Sequence, residues 1–270
     1  MADNNAEFTG SIPENYDKYL GPLIFEGYSI DIANRIQASV ADKVLEIAAG
    51  TGLATHHIRK AIPTETEFVV TDLNEPMLEM AKEKVSSLKN TTFQIVDGQN
   101  LEFADQSFDR IVCQFGIMFF PDKQRGVNEA FRVLKPEGQY LFSVWDSFEH
   151  NPLIKLVADT LIELFPKDPP SFLDVPLGYY KIDEIKRILE LAGFGEIEIS
   201  ILPRTMQINE ISNIPQGFIM GNPLSLQIPE MGGNLEQVMA SVTERIVAKF
   251  GDVPIEVPMQ AIVIKAHRPQ

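Results

Sequence analysis

Cysteine is almost missing from this sequence, with Cys113 the only one in 270 residues. A lone cysteine cannot close an intramolecular disulfide or supply a four-cysteine zinc site. Set in Arg110-Ile-Val-Cys-Gln114, it reads as a small buried hydrophobe. No apolar run approaches the ~18 residues needed to span a bilayer, so no integral membrane contact is expected. The start, Met-Ala-Asp-Asn-Asn-Ala-Glu, has neither the cationic end nor the apolar stretch of an export signal, and a cytoplasmic setting is expected. Positive charge is also short: 23 Lys and Arg face 38 Asp and Glu, for a net charge of −15. That surface repels phosphate backbones and anionic headgroups. Nucleic acid is therefore a poor candidate partner, and a small molecule a better one. There is no internal repeat, low-complexity tract or clean linker.

The residues present are those of an ordinary globular protein, 44% apolar and 23% charged. The length allows one decorated domain or a core with a smaller cap. Pro13 to Ala38 reads as one or two short amphipathic helices, with Tyr16, Tyr19, Leu20, Ile24, Phe25, Tyr28, Ile32 and Ile36 near helical spacing. From Lys43 strands and helices alternate. Strands are expected at Val44 to Ile47, Phe68 to Thr71, Thr92 to Val96, Asp109 to Gln114 and Gln139 to Trp145; helices at Leu53 to Ala61, Glu75 to Leu88 and Lys123 to Leu134. Short turns between them imply parallel pairing through right-handed crossovers, and unbroken apolar runs suit strands covered on both faces. The predicted class is α/β, a doubly wound sheet. Beyond Trp145 the regularity lapses: helices are expected at Asn151 to Phe165, Lys181 to Ala192 and Leu235 to Phe250, and strands at Glu196 to Leu202 and Met259 to Lys265.

Ligands of open parallel sheets bind outside the carboxyl ends of the strands, so those ends are read for chemistry. The first runs into Leu45-Glu-Ile-Ala-Ala-Gly-Thr-Gly-Leu53. Gly50 and Gly52 permit a tight turn and close backbone approach, and the helix that follows offers free amide donors. Two glycines alone are weak, because such turns need glycine anyway. Asp72 ends the second strand, twenty residues past Gly52, where an acid can take both hydroxyls of a ribose. A nicotinamide fingerprint would place a third glycine at position 55, where this chain has Thr55. Glu46, four residues before Gly50, suits a ligand carrying an ammonium group and would repel a pyrophosphate. Val96-Asp97-Gly98-Gln99 then brings a carboxylate that can accept from an exocyclic amine. Singly, each acid could be a solvated or helix-capping residue; three on consecutive strand ends point to a nucleoside ligand.

These stretches, with Thr71-Asp-Leu-Asn-Glu-Pro-Met-Leu78, Phe108-Asp-Arg-Ile-Val-Cys-Gln-Phe-Gly116 and Leu134-Lys-Pro-Glu-Gly-Gln-Tyr140, resemble the class I S-adenosylmethionine-dependent methyltransferases. Within that group they look most like the branch acting on small molecules in ubiquinone and menaquinone biosynthesis. The resemblance implies S-adenosyl-L-methionine as cofactor, S-adenosyl-L-homocysteine as product, and a seven-stranded, mostly parallel, Rossmann-like sheet with an antiparallel last strand and a helical cap. It puts Glu46, Ala48, Gly50, Thr51 and Gly52 near the methionine moiety, Asp72 on the ribose, Asp97, Gly98 and Gln99 near the adenine, Leu73 and Met77 on its face, and Gln114 and Phe115 beside the bound cofactor. Tyr16 or Tyr19 would close over the site. The implied layout is a single domain, 1–270, with a cofactor-binding core at 43–146, an N-terminal helical cap at 1–40 and acceptor-side insertions at 147–180 and 203–255.

Missing motifs narrow the acceptor. The fourth strand ends Cys113-Gln-Phe-Gly-Ile-Met-Phe-Phe-Pro-Asp122, with neither the Pro-Pro-aromatic turn of amino-group nucleic-acid methyltransferases nor the Pro-Cys of cytosine C5 enzymes. No ligand set accompanies Asp146, so no metal is expected. His150, just past the fifth strand, is the best-placed candidate base; a surface-loop histidine is the alternative reading. Phe115, Ile117, Met118, Phe119 and Phe120 could line an acceptor pocket or simply pack the core. The expected activity is methyl transfer to a small, partly apolar acceptor. A non-catalytic cofactor-binding regulator with the same fold is the alternative. The sequence names neither the acceptor atom nor the oligomeric state.

Overall fold

Apolar runs such as Val44-Leu45 and Phe68-Val-Val70 are wholly buried, as strands covered on both faces must be. The computed structural model describes residues 8–85 and 89–270. Its seven strands are β1 (Lys43–Glu46), β2 (Glu67–Asp72), β3 (Thr91–Ile95), β4 (Phe108–Gln114), β5 (Leu134–Trp145), β6 (Gly195–Ile208) and β7 (Ile255–His267). They form one sheet in the order β3-β2-β1-β4-β5-β7-β6. The pairs β1/β2, β1/β4, β2/β3 and β4/β5 are parallel, and β7 runs antiparallel to β5, with Gln139 opposite His267 and Trp145 opposite Ala261. The chain steps outward through β2 and β3, then returns to the other side of β1 with β4. The switch point is therefore between β1 and β4, at whose carboxyl ends a ligand crevice is expected.

Several elements differ from the sequence reading, β7 among them, which spans Ile255–His267 rather than Met259 to Lys265. β5 begins at Leu134, because Pro136 and Gly138 are absorbed by an irregularity in its register with β4 between Phe108 and Arg110, with Glu137 at φ 63. β6 continues through Pro203 to Ile208; it is the last strand of the sheet, and an edge tolerates a residue with no ladder N–H. The N-terminal helical stretch contains a π-helical run, Tyr16–Phe25, enclosing Pro22, closed by the Glu26 N–H on the Gly21 carbonyl. Proline lacks the N–H that an α-helix needs there, and the wider turn accommodates it. The helix expected to reach Leu88 spans Glu75–Val85; residues 86–88 lie outside the described residues.

Close contacts sort the chain into two units. One comprises residues 28–85, 89–145, 179–202 and 261–270 and holds the strand ends of interest. On one face of its sheet Val44, Val112, Leu141 and Val263 pack with Ile32, Ile36, Ala54 and Ile58, each large side chain contributing about 1.5 to 3 kcal/mol by burial. The boundary at Tyr28 places helix Glu26–Arg35 mostly here, whereas the sequence reading assigned residues 1–40 wholly to a cap.

The other unit comprises residues 8–27, 146–178 and 203–260. Helix Leu235–Phe250 packs against Pro152–Leu164, burying Val238, Val242, Ile246, Leu153, Val157 and Leu161. The π-helical run approaches Gln216–Met220 closely enough that a Cβ on Gly217 would fall 2.7 Å from Leu20 Cδ2. No helix among the described residues is long and apolar enough to cross a membrane.

Candidate active site

The turn after β1 is built by its neighbours. Asp72 Oδ2 accepts the Gly50 N–H at 2.8 Å and Oδ1 accepts the Asn74 N–H at 2.8 Å. The Ala49 N–H donates to the Thr71 carbonyl at 3.0 Å, and Thr71 Oγ1 donates to the Glu46 carbonyl at 2.8 Å. The two glycines do different work. A Cβ on Gly52, at φ 81, would lie 2.5 Å from Ala81 Cα, so Gly52 lets helix Glu75–Val85 approach the turn. Gly50, at φ 57, has no atom within 4 Å of a Cβ position; it faces open space where a ligand can reach the backbone. Helix Leu53–Ala61 starts there with no side-chain cap, leaving its first-turn amides for a ligand.

Glu46 is the last residue of β1 and only 1% exposed. Its Oε2 has no hydrogen-bond partner. Burial pushes its carboxyl up to about 8, against the nearby Thr55 hydroxyl, which favours the ionised form, and with the Asp72 charge adding to the rise. The Thr55 hydroxyl itself meets hydrogen-bonding geometry with no group. Burial also raises the Asp72 carboxyl, opposed by the Asn74 and Gly50 N–H groups.

Along the other strand ends, Asp97 Oδ1 accepts the Gln99 N–H at 2.8 Å, and Gln99 Oε1 accepts the Asp122 N–H at 2.8 Å. A Cβ on Gly98 would meet Phe120 at 2.4 Å, so that turn is packed rather than open. Leu73 is 55% exposed while Met77 is buried; of the two, Leu73 offers free apolar surface. Gln114, ending β4, accepts from Ser29 Oγ at 3.1 Å through Oε1, and its Nε2 has no partner. Phe115 follows at φ 53, stacked on Trp145 at 4.2 Å and met edge-on by Tyr28 at 5.6 Å. Ala48 at φ 56 and Phe115 are both in the left-handed region, a strain that clusters at functional sites.

In the second unit, His150 Nδ1 lies 3.3 Å from Ser147 Oγ and 3.6 Å from Asp146 Oδ1. Asp146 Oδ2 accepts from Gln260 Nε2 at 2.7 Å. Buried Asn151 donates to the carbonyls of Asp146, Ser147 and Gln260 and accepts the Gln260 N–H. Tyr16 stacks on Phe25 at 4.9 Å and Tyr19 lies under Lys18, both in this same unit. Among the described residues no group of three or more His, Cys, Asp or Glu is placed to hold a metal ion.

The donor set fits an amino-acid nucleoside: an orphaned buried carboxylate, an open glycine backbone, uncapped helix amides and an orphaned amide at Gln114. The profile of the ubiE/COQ5 methyltransferase family matches residues 8–158. The chain belongs to the ubiE/COQ5 methyltransferase family. As such it is an enzyme, and S-adenosylmethionine is its cofactor. It is 28% identical over 219 residues to the demethylmenaquinone methyltransferase of Staphylococcus haemolyticus, covering 74% of this chain and 91% of that one. Against the ubiquinone/menaquinone biosynthesis C-methyltransferase UbiE of Haemophilus ducreyi it is 27% identical over 187 residues, 64% of this chain and 71% of the other. The fold is shared with the Haemonchus contortus phosphoethanolamine N-methyltransferase 2 in complex with phosphomonomethylethanolamine and S-adenosylhomocysteine, with a TM-score of 0.63, 15% identity, and coverage of 99% of this chain and 60% of that one.

Sequence reasoning passed over Ser29, which fixes Gln114, and used Thr55 only to argue against a dinucleotide. Ser29 sits on a helix far from the motif, so spacing gave no cue; Trp145, the one tryptophan, at the end of a strand, was a usable signal for the stack on Phe115.

Proposed function

We propose that this family member methylates a reduced quinone-type ring, a planar and largely apolar phenolic acceptor. Two of its relatives carry names in quinone biosynthesis, and the family match spans the whole strand-end constellation. The observation that carries the cofactor part of the reading is Glu46, a buried carboxylate with an unpartnered oxygen beside the open Gly50 backbone. In this assignment Glu46 faces the ligand's ammonium, Asp72 accepts from the ribose hydroxyls, Asp97, Gly98 and Gln99 face the adenine edge with Leu73 against its ring, and Gln114 donates through Nε2.

When bound, the cofactor supplies a sulfonium methyl carbon open to in-line displacement. The protein's part is to hold the acceptor atom about 3 to 3.5 Å from that carbon and exclude water. The Ser29 bond fixes Gln114, and the Tyr28, Phe115 and Trp145 rings make a rigid apolar floor behind it. Incubation with methyl-labelled cofactor and a short-chain demethylmenaquinol tests the reading. Label in the ring supports it, and no transfer to that quinol or its ubiquinone-type counterpart would overturn the choice of acceptor.

A further inference from the structure

We propose that cofactor binding takes a proton off Glu46, so that the carboxyl is neutral in the empty protein and ionised only against the ligand's ammonium. The inference rests on the cofactor reading above. Glu46 is 1% exposed, and among the described residues no lysine, arginine or histidine pairs with it. The titratable groups that face it are Asp72 from β2 and Cys113 from β4. Neither offers a positive charge: Asp72 repels a second carboxylate, and burial keeps the Cys113 thiol protonated, pushed up to about 12. Among the described residues Thr55, from helix Leu53–Ala61, is the polar side chain set to favour the anion. A buried, unpaired carboxylate holds its proton, which agrees with a carboxyl pushed up to about 8.

An ammonium brought against the orphaned Oε2 reverses that balance. The carboxyl O–H bond breaks, the proton passes to solvent, and an ion pair of zero net charge remains in the buried site. Binding is then coupled to pH. Each unit of pH below about 8 holds the carboxyl more fully protonated, so affinity rises about tenfold per unit from pH 5.5 and levels off near 8. The arrangement also selects the ligand, because an analogue without the amine cannot repay ionisation of Glu46.

Calorimetry of the full chain with S-adenosylhomocysteine, in two buffers of different ionisation enthalpy, counts the protons. About one released per ligand at pH 6.5 is expected, with none from Glu46→Gln, in which any titration of the ligand's own amine persists. Infrared difference spectra read Glu46 directly, through a protonated-carboxyl band that disappears on binding. This second measurement stands even if Glu46→Gln binds too weakly to titrate. Binding without proton release, release unchanged in Glu46→Gln, or no loss of the band overturns the inference alone. No binding at any pH overturns the cofactor reading and this inference with it.

Discussion

Replacing Glu46 with glutamine should shift the stability of the empty protein in the variant's favour as pH rises. The folded carboxyl titrates at about 8, against 4.5 for an ordinary glutamate. Between these limits the folded chain holds a proton that the unfolded chain has lost, so wild-type stability falls as pH climbs through that window. The loss is about 1.4 kcal/mol per pH unit, or about 3 kcal/mol between pH 5 and pH 7.5. Glutamine resembles the neutral acid in size and has no proton to lose. The offset between the two proteins at pH 5 depends on what the new amide finds to bond, and above pH 5 the balance should move steadily toward the variant. At roughly 2 °C per kcal/mol for a chain of this length, the variant should gain about 6 °C on wild type between the two pH values. Thermal or urea melts of ligand-free protein measure this. A stability difference that stays flat between pH 5 and 7.5, or that moves against the variant, would refute the claim that Glu46 is neutral in the folded state.

Other substitutions separate packing from binding. Gly52→Ala should lower stability by several kcal/mol, since its Cβ would fall on Ala81 at 2.5 Å; Gly50→Ala should cost only the roughly 1 to 2 kcal/mol of its positive φ yet weaken S-adenosylhomocysteine binding at least tenfold in titration. Ser29→Ala frees Gln114 and should reduce cofactor affinity several-fold, with about 1 kcal/mol of stability lost in denaturant melts.

The sheet and its strand-end acids were legible because parallel strands announce themselves as apolar runs and their turns as glycines. Glu46, Asp72 and Asp97 each stand at or just past the end of a strand, as read. The boundaries that moved did so for reasons local patterns do not carry. Pro203 ends a strand in isolation but not at a sheet edge, and Pro22 interrupts an α-helix but not a π-helical turn. The contact of Ser29 with Gln114 spans 85 residues, and the left-handed backbone of Ala48 and Phe115 occurs at residue types that rarely adopt it. Long-range contacts such as these decide orientation within the site, whereas the motifs decide only which residues reach it. Ile32 and Ile36, from the stretch expected as an N-terminal cap, pack in one cluster with Val44, Val112 and Leu141 of the sheet.

The central claim is that the carboxyl ends of β1 and β2 bind the cofactor through Glu46, the Gly50 turn and Asp72. Side-by-side calorimetric titration of wild type and Asp72→Ala with S-adenosylhomocysteine tests it most directly. Micromolar or tighter binding by wild type and at least tenfold weaker binding by Asp72→Ala are predicted. No heat from wild type, or equal affinity in the two proteins, would contradict it.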